Sequence, residues 1–336
     1  MTPAIFGLSG PVLTDDERAF FRDADPAGYI LFGRNVQNRT QVRALTDALR
    51  AIHGRERLLI TIDQEGGRVA RMKPPEWLAW PAGEAFDRLF DLAPASAIEA
   101  ARANAEALGH DLAEVGITCT HAPVLDVRQP GAHDVIGDRA YGSEPLRVAA
   151  LGRAVLDGLE RAGICGTIKH MPGHGRALAD SHKELPTVTA SAAELASDLA
   201  PFKALADAPM AMTGHIRFTA WDADHPATQS PYVIEQIIRG EIGFGGLLLT
   251  DDLDMQALSG TVPERAEAAL AAGCDIALNC WGRMDDMIGI AQRLPVMGPE
   301  TAVRLERALA VTRVDGASGR QAELLARRDA LLALHA

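Results

Sequence analysis

The chain has four cysteines, Cys119, Cys165, Cys274 and Cys280, and no two of them form a C-x-x-C pair. That argues against a disulfide framework and a cysteine-built zinc site. Three of the four lie inside apolar, strand-like runs, which predicts buried, reduced thiols. No run of Lys or Arg forms a basic stripe, and net charge is −12 with a pI near 5.3, so nucleic acid is not an expected partner. No apolar stretch approaches the roughly 20 residues of a membrane-spanning helix, so no membrane association is expected. The opening MTPAIFGLSGPVLTD lacks a basic segment followed by a continuous apolar one. A signal peptide is not read, and the expected location is the cytoplasm. No Pro/Ser-rich linker, composition break, short-period repeat or low-complexity tract divides the chain.

What is present is a composition of 47% apolar and 23% charged residues over 336 positions, typical of a soluble globular chain. Short apolar runs recur: GYILFG (28–33), RLLITID (57–63), ITCTHAPVLDV (117–127), GICGTIKH (163–170), APMAMTGHI (208–216), GGLLLTDD (245–252) and CDIALNC (274–280). Amphipathic stretches such as 40–53, 96–116, 144–163 and 263–273 separate them. Continuously apolar strands alternating with helices imply a parallel sheet buried on both faces. Seven or eight such units predict a single α/β (β/α)8 TIM-type barrel over residues 1–336. The Ala/Leu/Arg-rich helices expected over 299–313 and 320–335 are placed on its outside, and the pattern assigns no oligomeric state.

The polar residues cluster at one end of the runs. Asp63-Gln64-Glu65-Gly66-Gly67-Arg68 follows LLITI, Asp126 follows APVL, and Lys169-His170 follows GTI. His215 follows AMTG, Asp251-Asp252 follows LLLT, and Asn279 follows DIAL. In a parallel barrel these positions converge on the mouth at the C-terminal strand ends. One charged strand end is an ordinary helix cap; so many in one chain point to an active site.

Three of the ten histidines fall in one stretch, KHMPGHGRALADSH (169–182). His170 and His174 have the H-x-x-x-H spacing of a zinc pair, but Pro172, Gly173 and Gly175 rule out the helix that pair needs, so no metal is expected. Lys169 at a strand end raises a Schiff-base aldolase as one reading and a ligand-binding lysine as another. Asp251 and Asp252 are neighbours on a strand and face opposite ways, so one enters the mouth and the other caps the next turn. Asp180 can accept the imidazole N–H of His182, fix its tautomer and stabilise its charged form; the plain alternative is two solvated loop residues. Arg68, Arg71, Arg139 and Lys169 stand as donors for a ligand's oxygens, with Arg139 and Lys169 expected to be unpaired until those oxygens arrive.

The segments IDQEGGRVAR (62–71), APVLDV (122–127), IGDRAYG (136–142), KHMPGHG, DSHKELP (180–186) and TDDLDM (250–255) together resemble glycoside hydrolase family 3. Within it they are most similar to the single-domain bacterial β-N-acetylhexosaminidases. The likeness runs from about residue 5 to about residue 280; Met171 stands where the family usually has Phe. The resemblance implies a retaining exo-β-N-acetylglucosaminidase that works through a covalent glycosyl-enzyme. Its substrate would be a small carbohydrate, a muropeptide carrying N-acetylglucosamine on anhydro-N-acetylmuramic acid, in peptidoglycan recycling. It implies Asp251 as nucleophile, His182 as acid/base with Asp180 as its partner, and Asp63, Arg71, Arg139, Lys169 and His170 as the sugar pocket. No cofactor is implied. Phosphorolysis of the same bond, an aldolase using Lys169 and a non-catalytic sugar-binding protein are the competing readings.

Overall fold

Eight parallel strands close into a barrel in sequence order, with the first hydrogen-bonded to the last. They are β1 (Thr2–Gly7), β2 (Pro26–Leu31), β3 (Leu59–Ile62), β4 (Cys119–Thr120), β5 (Cys165–Met171), β6 (Met210–Thr213), β7 (Leu247–Asp252) and β8 (Ile276–Asn279). The computed structural model describes residues 1–313 and 319–335. Closure runs through Ala4 opposite Ala277 and Phe6 opposite Asn279. The strand Thr2–Gly7 is absent from the seven sequence runs, because it sits at the very start of the chain with a proline as its second residue.

Helices follow the strands on the outer wall: α1 (Asp15–Ala24), α2 (Arg39–His53), α3 (Gly83–Leu92), α4 (Pro94–Glu114), α5 (Pro145–Arg161) and α6 (Ala192–Ala204), then the wide π-type helix Val233–Glu241, α7 (Val262–Ala271) and α8 (Met284–Arg293). Local chemistry sets their starts. Thr14 and Glu17 form a capping box at α1, and the Asn38 side chain accepts the Gln41 N–H at α2. The buried face of α2 is Val42, Leu45 and Leu49, at the 3–4 residue spacing that packs one helical stripe against the sheet. Among the described residues no helix is long and apolar enough to cross a membrane.

The inside of the barrel is filled by alternating strand side chains, among them Ile5, Ile30, Leu59, Cys119, Cys165, Met210, Leu249 and Ile276. All four cysteines are free and buried. The run 117–127 is not one strand. It leaves the ladder after Thr120, passes the Ala122–Pro123 bond, and rejoins β5 through a bridge from Val124 to Lys169. Proline cannot donate to the ladder at that point.

The two final helices part company. The second, α10 (Gln321–Leu332), lies on the outer wall: Gln321 reaches the Ala107 carbonyl of α4, and Arg328 lies over the Trp80 ring. The first, α9 (Pro299–Ala310), does not. Its Leu305, Ala308 and Leu309 belong to the same apolar cluster as the barrel interior. Arg304 and Thr301 bind Asp275 just ahead of β8. Helix α9 therefore plugs the N-terminal end of the barrel, because an open ring of Leu, Ile and Met would otherwise face water. The tail beyond it includes residues 314–318 and 336, which lie outside the described residues.

Candidate active site

The opposite, C-terminal end of the barrel carries a cavity of about 150 Å³. Asp63, Glu65, Arg71, Arg139, Lys169, His170, His174, His182, Asp251 and Asp252 line it, with Phe32 and Met212 among the apolar walls. Of the eight site residues read from the sequence, seven line this cavity; Asp180 stands directly behind His182.

Two carboxylates and three cations interlock on one side. Arg139 grips Glu65 with two parallel bonds of 2.8 Å each. Lys169 Nζ lies 2.6 Å from Glu65 Oε1 and 3.4 Å from Asp63 Oδ1. Arg71 binds Asp63 at 2.9 Å and stacks over Phe32 with 4.8 Å to the ring centroid. Burial works against ionising Glu65, but Arg139 and Lys169 outweigh it and hold its carboxyl at about 2. Asp63 is held far below its ordinary value, burial again being overcome by Lys169. The expectation that Arg139 and Lys169 wait unpaired is thus corrected: Glu65, a residue given no role by the sequence reading, already pairs both. Arg68 is corrected too. It is an exposed strut that bonds Asp138 and the carbonyls of Asp134 and Val135, bracing the loop that carries Arg139.

Removing one partner from this buried network leaves charges uncompensated. Glu65→Gln is expected to cost about 3–5 kcal/mol in urea denaturation at neutral pH. Glu65 is depressed from its ordinary 4.5 to about 2. Its stabilising contribution is therefore complete above the ordinary value and is lost as pH falls from there through about 2. The gap between wild type and Glu65→Gln should close across that window; a gap independent of pH would show that the charge of Glu65 contributes nothing.

The loop after β5 is built on Asp126. This buried carboxylate accepts the His174 N–H at 2.7 Å, the His170 N–H at 3.2 Å and His170 Nδ1 at 2.7 Å. Burial raises its carboxyl, but His170 prevails and keeps it at about 2. Glycine is required at two loop positions. Gly173 has φ of +139°, and a Cβ on Gly175 would lie 1.9 Å from the Val127 carbonyl oxygen. The three histidines divide the work. His170 forms part of the cavity wall. His174 is buried, and burial and His170 push it down to about 4. It is a strut, with Nε2 3.2 Å from Ser181 Oγ, joining the two halves of the loop.

His182 is at the outer end, with 64% of its side chain exposed. Asp180 Oδ1 accepts both its backbone N–H at 3.0 Å and its Nδ1–H at 2.8 Å, leaving Nε2 free for proton exchange. The Asp180 carboxyl is lowered, the bonds from His182 overcoming the effect of burial. The segment docks on the turn after β7, where the N–H groups of Gln256 and Ala257 donate to the carbonyls of His182 and Ser181.

Asp251 and Asp252 both reach the cavity, and their surroundings distinguish them. Burial raises the Asp251 carboxyl, but His170 and His215 outweigh it, and the net shift is downward. Asp252 Oδ1 caps the next turn, accepting the Asp254 and Cys280 N–H groups at 3.2 Å each. Burial and the neighbouring Asp251 charge raise its carboxyl to about 7. His215, noted only as a strand-end residue, anchors this segment: Nε2 bonds the Asp252 carbonyl at 3.0 Å and Nδ1 meets the Thr228 hydroxyl at 2.7 Å. Among the described residues no group of three His, Cys, Asp or Glu side chains is arranged to hold a metal ion.

Comparison with known proteins matches residues 10–311 to the glycosyl hydrolase family 3 N terminal domain. A beta-hexosaminidase of Alkalilimnicola ehrlichii is 39% identical over 310 residues, covering 91% of this chain and 88% of that protein. One from Tolumonas auensis is 40% identical over 292 residues, 84% of each chain. The crystal structure of NagZ from Neisseria gonorrhoeae in complex with N-trifluoroacetyl-D-glucosamine superposes with a TM-score of 0.88 at 32% identity, over 100% of this chain and 98% of that one. The matched span holds every cavity residue described above, and the chain belongs to glycosyl hydrolase family 3.

Proposed function

We propose that this protein is a retaining exo-β-N-acetylglucosaminidase that removes terminal β-linked N-acetylglucosamine from muropeptides during cytoplasmic peptidoglycan recycling. Its curated relatives are beta-hexosaminidases, and the chain is a glycoside hydrolase of that type. The observation that carries the mechanism is the presence of Asp251, its carboxyl shifted downward by His170 and His215, and an Asp180-bound His182 on the walls of one cavity.

In this reading Asp251 attacks the anomeric carbon as the bond to the leaving oxygen breaks, and His182 gives its Nε2 proton to that oxygen. Water then attacks the same carbon, returns a proton to His182 and frees Asp251. Most retaining enzymes use a second carboxylate in place of the histidine. Histidine is the side chain most often used as a general acid and base, so one residue can serve both steps. Asp63, Arg71, Arg139, Lys169 and His170 surround the sugar, held before it arrives by ion pairs among themselves and with Glu65 and Asp126. Two carboxylates hold Lys169 as an ion pair, which disfavours the Schiff-base reading, since that chemistry needs a free amine lone pair.

The test is incubation with an aryl β-N-acetylglucosaminide, with and without inorganic phosphate, followed by proton NMR of the sugar product. The expected product in both arms is free N-acetylglucosamine, released first as the β anomer. An initial α anomer would refute retention, and a sugar 1-phosphate in the phosphate arm would establish phosphorolysis instead.

A further inference from the structure

A second groove opens on the far side of the loop histidine. His182, Asp252, Met255, Gln256, Trp281 and Arg283 form its walls, and His182 and Asp252 are shared with the main cavity. The two spaces therefore meet at the proposed proton donor, which by its chemistry must touch the leaving oxygen. Trp281 is 57% exposed, in a residue type whose large apolar ring is normally well buried.

The backbone that presents this indole is held on both sides. The Cys280 N–H donates to Asp252, and the Cys280 carbonyl accepts from Arg34. Gly282 follows with φ of +67°, and a Cβ there would lie 2.8 Å from the Leu8 carbonyl carbon. The exposed ring is thus set on a fixed support and not on a loose loop. Arg283 is compensated, bonded to Asp254 and to Asp286 at 2.6 Å, so the groove offers no unpaired cation to an acidic ligand.

We propose that this groove is the subsite for the leaving-group sugar, with Trp281 as the platform on which the apolar face of its pyranose ring stacks. The assignment rests on the glucosaminidase reading above. The groove selects a ring and not a carboxylate, since its one guanidinium is already neutralised. An indole lends such a ring a broad, rigid, apolar surface at small entropic cost.

The test compares kcat/KM for N,N′-diacetylchitobiose, whose leaving group is a sugar, with that for methyl β-N-acetylglucosaminide, whose leaving group cannot reach the indole. The ratio of the two is measured in wild type, Trp281→Ala and Trp281→Phe. Trp281→Ala should lower the ratio about tenfold, and Trp281→Phe should restore most of it. An unchanged ratio in Trp281→Ala, with both compounds cleaved by wild type, overturns the subsite alone. Failure of wild type to cleave either compound overturns the glucosaminidase reading and the subsite with it.

Discussion

Asp251→Asn is expected to lower kcat on an aryl β-N-acetylglucosaminide by a factor on the order of 10⁴–10⁶, the scale seen when an enzyme loses its nucleophile. The amide keeps the shape of the carboxylate but cannot form the glycosyl ester. Four carboxylates line the cavity, and their surroundings separate them. Asp63 is paired with Arg71 and Lys169. Both oxygens of Glu65 are engaged, by Arg139 on both and by Lys169 on one. Asp252 has one oxygen fixed by two backbone N–H groups and is raised to about 7 by burial and the neighbouring Asp251 charge. Asp251 alone combines a downward shift with a place on the cavity wall free of a direct salt bridge. A slow 2-fluoro- or 5-fluoro-glycoside should therefore label the peptide containing Asp251, read by mass spectrometry. A label on Asp252 or Glu65 would overturn the assignment of Asp251.

The barrel and its mouth were legible because both follow from local patterns. Seven of the eight strands are short apolar runs, six of them followed by polar residues, and strand direction alone gathers those ends. The β1 strand escaped because it sits at the very start of the chain with a proline at its second position, and α9 was misplaced because nothing in an amphipathic helix tells whether its apolar face meets a wall or plugs a barrel end. The ion-pair partners were hidden for a related reason. Glu65 and Arg139 are 74 residues apart, and Asp126 and His170 are 44 apart. No spacing rule joins them. A weak signal was nonetheless available for Glu65, since a cluster of three cations expected at one mouth requires nearby carboxylates if it is to be buried.

His182→Ala is expected to lose activity in proportion to how badly the leaving group needs a proton. An alkoxide from a natural disaccharide must be protonated as the bond breaks, whereas a dinitrophenolate departs unaided. Loss of a general acid typically costs ~10²–10⁴ in rate, and that range should appear for the disaccharide and nearly vanish for dinitrophenyl glycosylation. Asp180→Ala should show a milder slope of the same sign, because Asp180 holds the imidazole through Nδ1 and stabilises its charged form. His174→Ala acts elsewhere. It removes the tie between His174 Nε2 and Ser181 Oγ and loosens the whole loop, so its loss should be equal for every leaving group. The measurement is kcat/KM over a series of aryl leaving groups, plotted against leaving-group pKa for each variant. A uniform loss in His182→Ala would remove it as the acid. The role would then pass to a group that also borders the leaving oxygen and can hold a proton at neutrality, and Asp252, on the wall of the same cavity and raised to about 7, is the residue that meets both conditions.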